Sequence, residues 1–237
     1  MCGRFTLTSN LDDLQGRFGF LSEHTDHVPR YNIAPTQQVL AVTNDGQRRG
    51  EIMRWGLVPS WANDLKIGAR MINAVAETAS TKPAFRNAFK KRRCLVLANG
   101  FFEWQKDGKR KIPTYIYHRN GDPLAFAGLW ETWKTPDGLV IQSCTILTTE
   151  ANSFIQPVHN RMPVILSDET QALWLDPLTE DPKILEPLLI PAPTELLTYH
   201  QVSSTVNSVK NQGPECVLPL KMTPASESPS AERRLFP

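Results

Sequence analysis

The sequence predicts an α+β fold: a single domain around a strongly bent, mostly antiparallel β-sheet, barrel-like at its core, with helices at the periphery. Three observations lead there. From Gln38 to about Phe126 the chain is a series of short β-rich runs punctuated by Asn44-Asp45-Gly46, Asp107-Gly108 and Asn120-Gly121, each a turn signal. Helical patterning is confined to a few short segments. Strands dominate without regular alternation with helices, so a parallel βαβ sheet is not the organising unit.

The elements follow in order. Ser9 caps a first short helix, with Asp12 at the capping-box position and Leu11, Leu14 and Phe18 on its buried face. Residues 39–43, 94–98, 101–105, 114–118 and 124–127 read as strands, and residues 139–149 continue that pattern. Residues 82–90 read as a helix. Ser167 opens another, whose first turn carries Asp168 and Glu169 against the positive end of the helix dipole, and it runs towards Leu175 before Pro177. Residues 184–189 form a further short helix. The domain is expected over residues 2–221, and residues 222–237, rich in Ser, Pro, Ala and charge, as a disordered tail.

With 41% hydrophobic and 21% charged residues, the 237-residue chain is expected to be soluble and able to bury a sizeable core unaided. Cys2, Cys94, Cys144 and Cys216 are scattered, with no CxxC or Cys/His cluster. Neither a disulfide framework nor a metal site is expected, and no cofactor is implied. Positions 1–30 lack the apolar core of a signal peptide, and no apolar run approaches membrane-spanning length. A reducing cytoplasm is the expected compartment, and it suits a thiol that must stay free. The net charge of +2 does not announce a nucleic-acid binder. Its distribution is more informative. Lys82, Arg86, Lys90, Lys91, Arg92 and Arg93 form one run without an acid, and Lys106, Lys109, Arg110 and Lys111 another with Asp107 alone. Such runs are ordinarily solvated faces and are compatible with a phosphate-binding groove.

Cys2, directly after Met1, carries the most chemical information. Methionine is usually trimmed before a small residue, which leaves an α-amine and a thiol on adjacent carbons. Their ordinary pKa values are about 7.7–8.0 and about 8.5. Together they can capture an aldehyde: the amine forms an imine, and the thiol closes on it to give a thiazolidine. Alone, a Met-Cys start is more often an ordinary terminus.

Five polar and aromatic runs change that balance: Arg30-Tyr31-Asn32-Ile33-Ala34-Pro35-Thr36-Gln37, Arg54-Trp55-Gly56-Leu57-Val58-Pro59-Ser60-Trp61, Ile72-Asn73-Ala74-Val75-Ala76-Glu77-Thr78, Asn99-Gly100-Phe101-Phe102-Glu103-Trp104 and His159-Asn160-Arg161-Met162-Pro163. Singly, each has an ordinary structural explanation. Glu103 can pair with Arg92 or Arg93, His159 can be satisfied within its loop, Asn73 can bond backbone in a turn, and Trp61 can be core. Together with the Cys2 start and Val202–Lys210, they resemble the SOS response-associated peptidases, also called abasic-site processing proteins, from Cys2 to about Leu218.

That resemblance implies a protein that binds abasic sites in single-stranded DNA and links covalently to the ring-opened sugar through its N-terminal cysteine. Carried onto this chain, Cys2 is the nucleophile, Asn73 orients the terminal residue and the lesion, Glu103 helps open the sugar, and His159 stabilises the opened form. Arg4 and Arg161 match arginines expected on the strand backbone, and Trp61 a stacking surface beside the lesion. The chain departs from the family pattern at Val75, where an arginine is usual, at Asn99 and Asn160, where aspartates are usual, and at Phe102, where tyrosine is usual. An imine can also lead to strand cleavage, so a lyase side activity is compatible with this chemistry. The alternatives are a thiol hydrolase or peptidase that uses the α-amine of Cys2 as base, with only Met1 to remove by self-cleavage, and a non-covalent single-strand binding module. A monomer with no membrane association is expected.

Overall fold

The computed structural model describes residues 2–24 and 27–220. In chain order its strands are β1 (Phe5–Leu7), β2 (Arg30–Ile33), β3 (Gln38–Asn44), β4 (Arg48–Trp55), β5 (Asn73–Val75) and β6 (Arg93–Ala98). These are followed by β7 (Gly100–Asp107), β8 (Arg110–His118), β9 (Leu124–Lys134), β10 (Val140–Glu150), β11 (Arg161–Pro163) and β12 (Leu197–Gln201). The helices are α1 (Leu11–Phe18), α2 (Ala76–Ala79), α3 (Arg86–Lys91), α4 (Asp168–Leu175) and α5 (Pro182–Leu185).

Strands β10, β4, β3, β6 and β9 pair in that order, and β9 pairs back onto β10, which closes the expected barrel. Within it only β10 and β4 run parallel, through Ser143 opposite Arg54 and Cys144 opposite Trp55. The far end of β10 carries β5 in parallel and β11 antiparallel. A second, antiparallel sheet runs β12-β8-β7-β1-β2. Edge-to-face rings join the two. Phe5 of β1 meets Trp55 of β4 at 5.0 Å and Phe126 of β9 at 6.2 Å, and Phe101 of β7 meets Phe126 at 5.9 Å. Such pairs add about 0.5–1.5 kcal/mol each beyond the area they bury, so they fix where β1 and β7 sit against the barrel.

Some boundaries differ from expectation for physical reasons. The cap of α1 is Asn10, whose side chain accepts from Asp13 N–H; Ser9 instead accepts from Asn99 Nδ2 at 2.8 Å. Helix α3 begins at Arg86, because Pro83 disfavours the helical conformation of Lys82 before it. Helix α4 starts after Ser167 as expected, with that side chain accepting from Thr170 N–H. In place of one helix over residues 184–189, α5 starts at Pro182 behind an Asp181 cap and a 3₁₀ turn follows over Glu186–Leu188. The expected tail, residues 222–237, lies outside the described residues. Among the described residues, no helix is long and apolar enough to cross a membrane.

Candidate functional site

Strand register brings the first pair of site residues together. Phe5 lies opposite Phe101, and Phe102 N–H donates to Arg4 O at 2.9 Å. Run on by one residue, this antiparallel register sets Glu103 beside Gly3, next to Cys2. Cys2 is fully buried, with its Sγ 3.8 Å from Arg4 O. Burial, and then the negative charge of Glu103, push its thiol far above the ordinary cysteine value. Glu103 is 4% exposed, and burial raises its carboxyl from 4.5 to about 7. Near neutral pH it is present in both protonation states, which suits a group that must give and take a proton.

The second pair comes from the far end of β10. Asn73 lies opposite Ile146, and its Nδ2 donates to Cys2 O at 2.7 Å. Its Oδ1 is buried and accepts no hydrogen bond from any described residue. An orphaned buried acceptor costs about 1–3 kcal/mol, so its retention points to a partner that arrives with function. His159 ends a tight turn in which its own N–H donates to Ile155 O, while Asn152 braces the turn through Ile155 N–H and Ala192 O. Nδ1 of His159 sits 3.0 Å from Arg161 N and 3.1 Å from Arg161 O, so it has a partner in either tautomer. Nε2 lies 3.9 Å from Glu103 Oε2, just beyond direct hydrogen bonding. Burial lowers the imidazole below the ordinary histidine value, so the neutral form dominates at pH 7.

The expected anchoring residues lie around this cluster in different states. Arg4 Nη1 donates to Asn32 Oδ1 (2.7 Å) and to Val206 O (2.9 Å), and Nη2 makes no hydrogen bond among the described residues. Arg161 grips both carboxylate oxygens of Glu77 at 2.8 Å and also reaches Thr148 O. Trp61 is 59% exposed rather than core. Its loop is held by Trp133, whose indole donates to Ala62 O at 2.6 Å, and by a crossing of Gly56 and Gly68. A Cβ on Gly56 would meet Gly68 O at 2.5 Å, and Gly56 has φ +125, so both space and conformation demand glycine. Among the described residues, no hydrogen bond or ring contact joins Trp61 to Cys2, Asn73, Glu103 or His159. Pairing of Glu103 with Arg92 or Arg93 does not occur: Arg92 bonds Glu131 at 2.6 Å, and Arg93 donates to the carbonyls of Trp174, Phe89, Lys90 and Asp176.

Sequence reasoning missed Asn32. It is fully buried, and besides accepting from Arg4 its Nδ2 faces the carbonyls of Val206 (3.2 Å), Ser208 (3.0 Å) and Asn211 (2.8 Å). It therefore ties the C-terminal segment to Arg4. An asparagine within the strand Arg30–Ile33 is the signal that could have marked it, since strands disfavour that residue. Glu103, Trp104, Lys106, Lys111, His159 and Asn207 line an open groove of about 490 Å³. Cys2 does not line it.

A profile of the SOS response associated peptidase (SRAP) family matches residues 1–209. The chain belongs to this family. The abasic site processing protein YoqW of Bacillus subtilis is 48% identical over 223 residues, covering 92% of this chain and 99% of that protein. Abasic site processing protein YedK of Escherichia coli is 30% identical over 232 residues, covering 93% and 100%. Abasic site processing protein HMCES of Xenopus tropicalis is 30% identical over 272 residues, covering 94% and 79%. Among solved structures, a protein from Bacteroides thetaiotaomicron superposes with a TM-score of 0.84 at 26% identity, covering 92% of this chain and 99% of that one. The SRAP fold is thus shared along nearly the whole chain.

Proposed function

We propose that this SRAP protein, once Met1 is removed, captures the aldehyde of an abasic site in single-stranded DNA and holds it as a thiazolidine on Cys2. The observation that carries this reading is the convergence on Cys2: Asn73 holds its carbonyl at 2.7 Å, and Glu103, raised to about 7, perturbs its thiol. The names of the relatives supply the lesion. In the mature chain, Glu103 donates a proton to the ring oxygen of the closed sugar as the C1–O bond breaks, and His159, held neutral, accepts the proton that the C1 hydroxyl gives up to become the aldehyde. The freed α-amine attacks the aldehyde carbon, and one water leaves as the imine forms. The thiol then adds to that carbon, its proton passes to the nitrogen, and the five-membered ring closes. A thiol kept protonated by burial suits this order, because it is needed only after the imine exists. Asn73 Oδ1 is available to the new amine. Arg4, through its second terminal nitrogen, and Arg161, in exchange for its Glu77 partner, supply backbone contacts, and Trp61 a stacking face. Strand cleavage from the same imine is a side reaction.

The test is denaturing electrophoresis of the mature protein mixed with an abasic single-stranded oligonucleotide. A shifted band that survives denaturation without reductant is expected. Binding without any such band means a non-covalent module, and turnover of an amide substrate by Cys2 means a hydrolase; either overturns the proposal.

A further inference from the structure

The groove beside Glu103 has a wall that the lesion chemistry leaves unused. Pairing of β7 with β1 ends at Phe102, so from Glu103 to Asp107 that edge of β7 has no strand partner, while β8 covers the other edge as far as Asp107 opposite Arg110. Within this hairpin Lys106 lies directly opposite Lys111, so both side chains leave the same face. Like charges in that register repel, and an anion between them turns the repulsion into attraction. Both lysines are exposed, both line the groove, and neither ammonium has a hydrogen bond or ion pair among the described residues. The arginines nearby differ: Arg4 is pinned by Asn32 and Val206, and Arg161 by Glu77. Trp104 shares the lysines' face of β7 and lines the same groove, its indole donating to Asn207 Oδ1 at 2.8 Å and its ring 5.8 Å from the Arg4 guanidinium. Lys106 is also close enough to His159 to help lower its pKa, behind the larger effect of burial.

We propose that Lys106 and Lys111 bind backbone phosphate of the strand flanking the lesion, which makes the β7–β8 hairpin a DNA-binding arm of the site. This rests on the proposed capture of abasic DNA. It also supplies a source for the cation that Val75 does not provide. The two lysines are flexible point charges, and they follow a strand whose sugar is being opened more readily than a pinned guanidinium does.

The experiment is a salt titration of binding to an undamaged single-stranded oligonucleotide, followed by fluorescence anisotropy, for wild type, the Lys106→Ala/Lys111→Ala double variant and the Lys106→Arg/Lys111→Arg double variant. Each phosphate contact on a single strand contributes about 0.7 to the slope of log affinity against log salt. The alanine variant should lose about 1.4 from that slope, so that wild type loses about sevenfold more affinity than the variant between 50 and 200 mM salt. The arginine variant should keep the wild-type slope. An unchanged slope in the alanine variant overturns the inference, provided its denaturation midpoint matches wild type, as substitution of exposed lysines predicts. Undamaged DNA keeps the two readings separable. A wild type that binds it with the full slope yet forms no adduct with abasic DNA sinks the proposed function and leaves the arm standing; adduct formation with an unchanged slope does the reverse.

Discussion

Cys2, just before β1, and Glu103 of β7 belong to the open-sheet side and are 0% and 4% exposed, whereas Asn73 of β5 and His159, just before β11, flank the far end of β10 and are only half-buried. The first pair is set by strand register and has its acid–base properties shifted by desolvation, which raises both groups. In the second pair Asn73 is set by its register against β10 and His159 by the hydrogen bonds of its own turn, and His159 borders the groove. The contrast teaches that burial shifts the protonation of the first pair and leaves the second pair nearer to solvent. The two halves are joined by the hydrogen bond from Asn73 to Cys2 O and by the aromatic packing between the sheets.

The largest test of the buried half is terminal chemistry. Cys2→Ala keeps the α-amine, so it should give only a reversible imine, visible after borohydride trapping. A chain that retains Met1 keeps the thiol but has an amide at Cys2, and it should give no stable adduct. Electrophoresis with and without reductant reads both, and equal crosslinking by the Met1-retaining chain rules out the thiazolidine.

Glu103→Gln preserves shape without proton transfer and should slow adduct formation by about 10²–10⁴-fold. It carries a second signature. Because burial raises the folded-state carboxyl to about 7, the unfolded chain loses its proton first as pH climbs past 4.5, and wild-type stability falls until about pH 7. The loss is on the order of 3 kcal/mol. Chemical denaturation should therefore show Glu103→Gln gaining on wild type across that window. Parallel stability curves would mean the carboxyl is not desolvated.

Breaking the joint between the halves comes next. Phe5→Ala removes the ring shared by Trp55 and Phe126 and should cost about 3–5 kcal/mol of stability. Adduct formation should slow even at temperatures where the variant remains folded. A folded variant with wild-type rates would show that β1 holds its place without the aromatic bridge.

The smallest effect belongs to Val75→Arg, on the half-buried side at the end of β5. It should raise the salt slope of single-strand binding by about 0.7. No change would mean that a cation already fills that position, and Lys106 and Lys111 are the residues to test for it.

Strands with a plain apolar run, such as β3 and β6, are legible; β4, Arg48-Arg49-Gly50-Glu51-Ile52-Met53-Arg54-Trp55, is not legible as a whole, because its charged residues interrupt any apolar run and its buried positions do not alternate cleanly. The cap of α1 was misread by one residue because Asn99, ninety positions away, claims Ser9.

Residue chemistry was the sequence's own contribution: a thiol at Cys2 directly after Met1, and a carboxylate, an imidazole and an amide in motifs specific enough to name the family before any coordinates. Those motifs are short and local, so they survive in linear reading. The tertiary structure alone decided the surroundings of each group. It buried Glu103 until its pKa approached neutrality, tied Arg161 to Glu77, gave Asn73 to the Cys2 carbonyl, and left Lys106 and Lys111 uncommitted. Desolvation and hydrogen-bond partnership depend on which strands become neighbours. That pairing is a property of the closed barrel and its apposed sheet, and no local run of residues carries it.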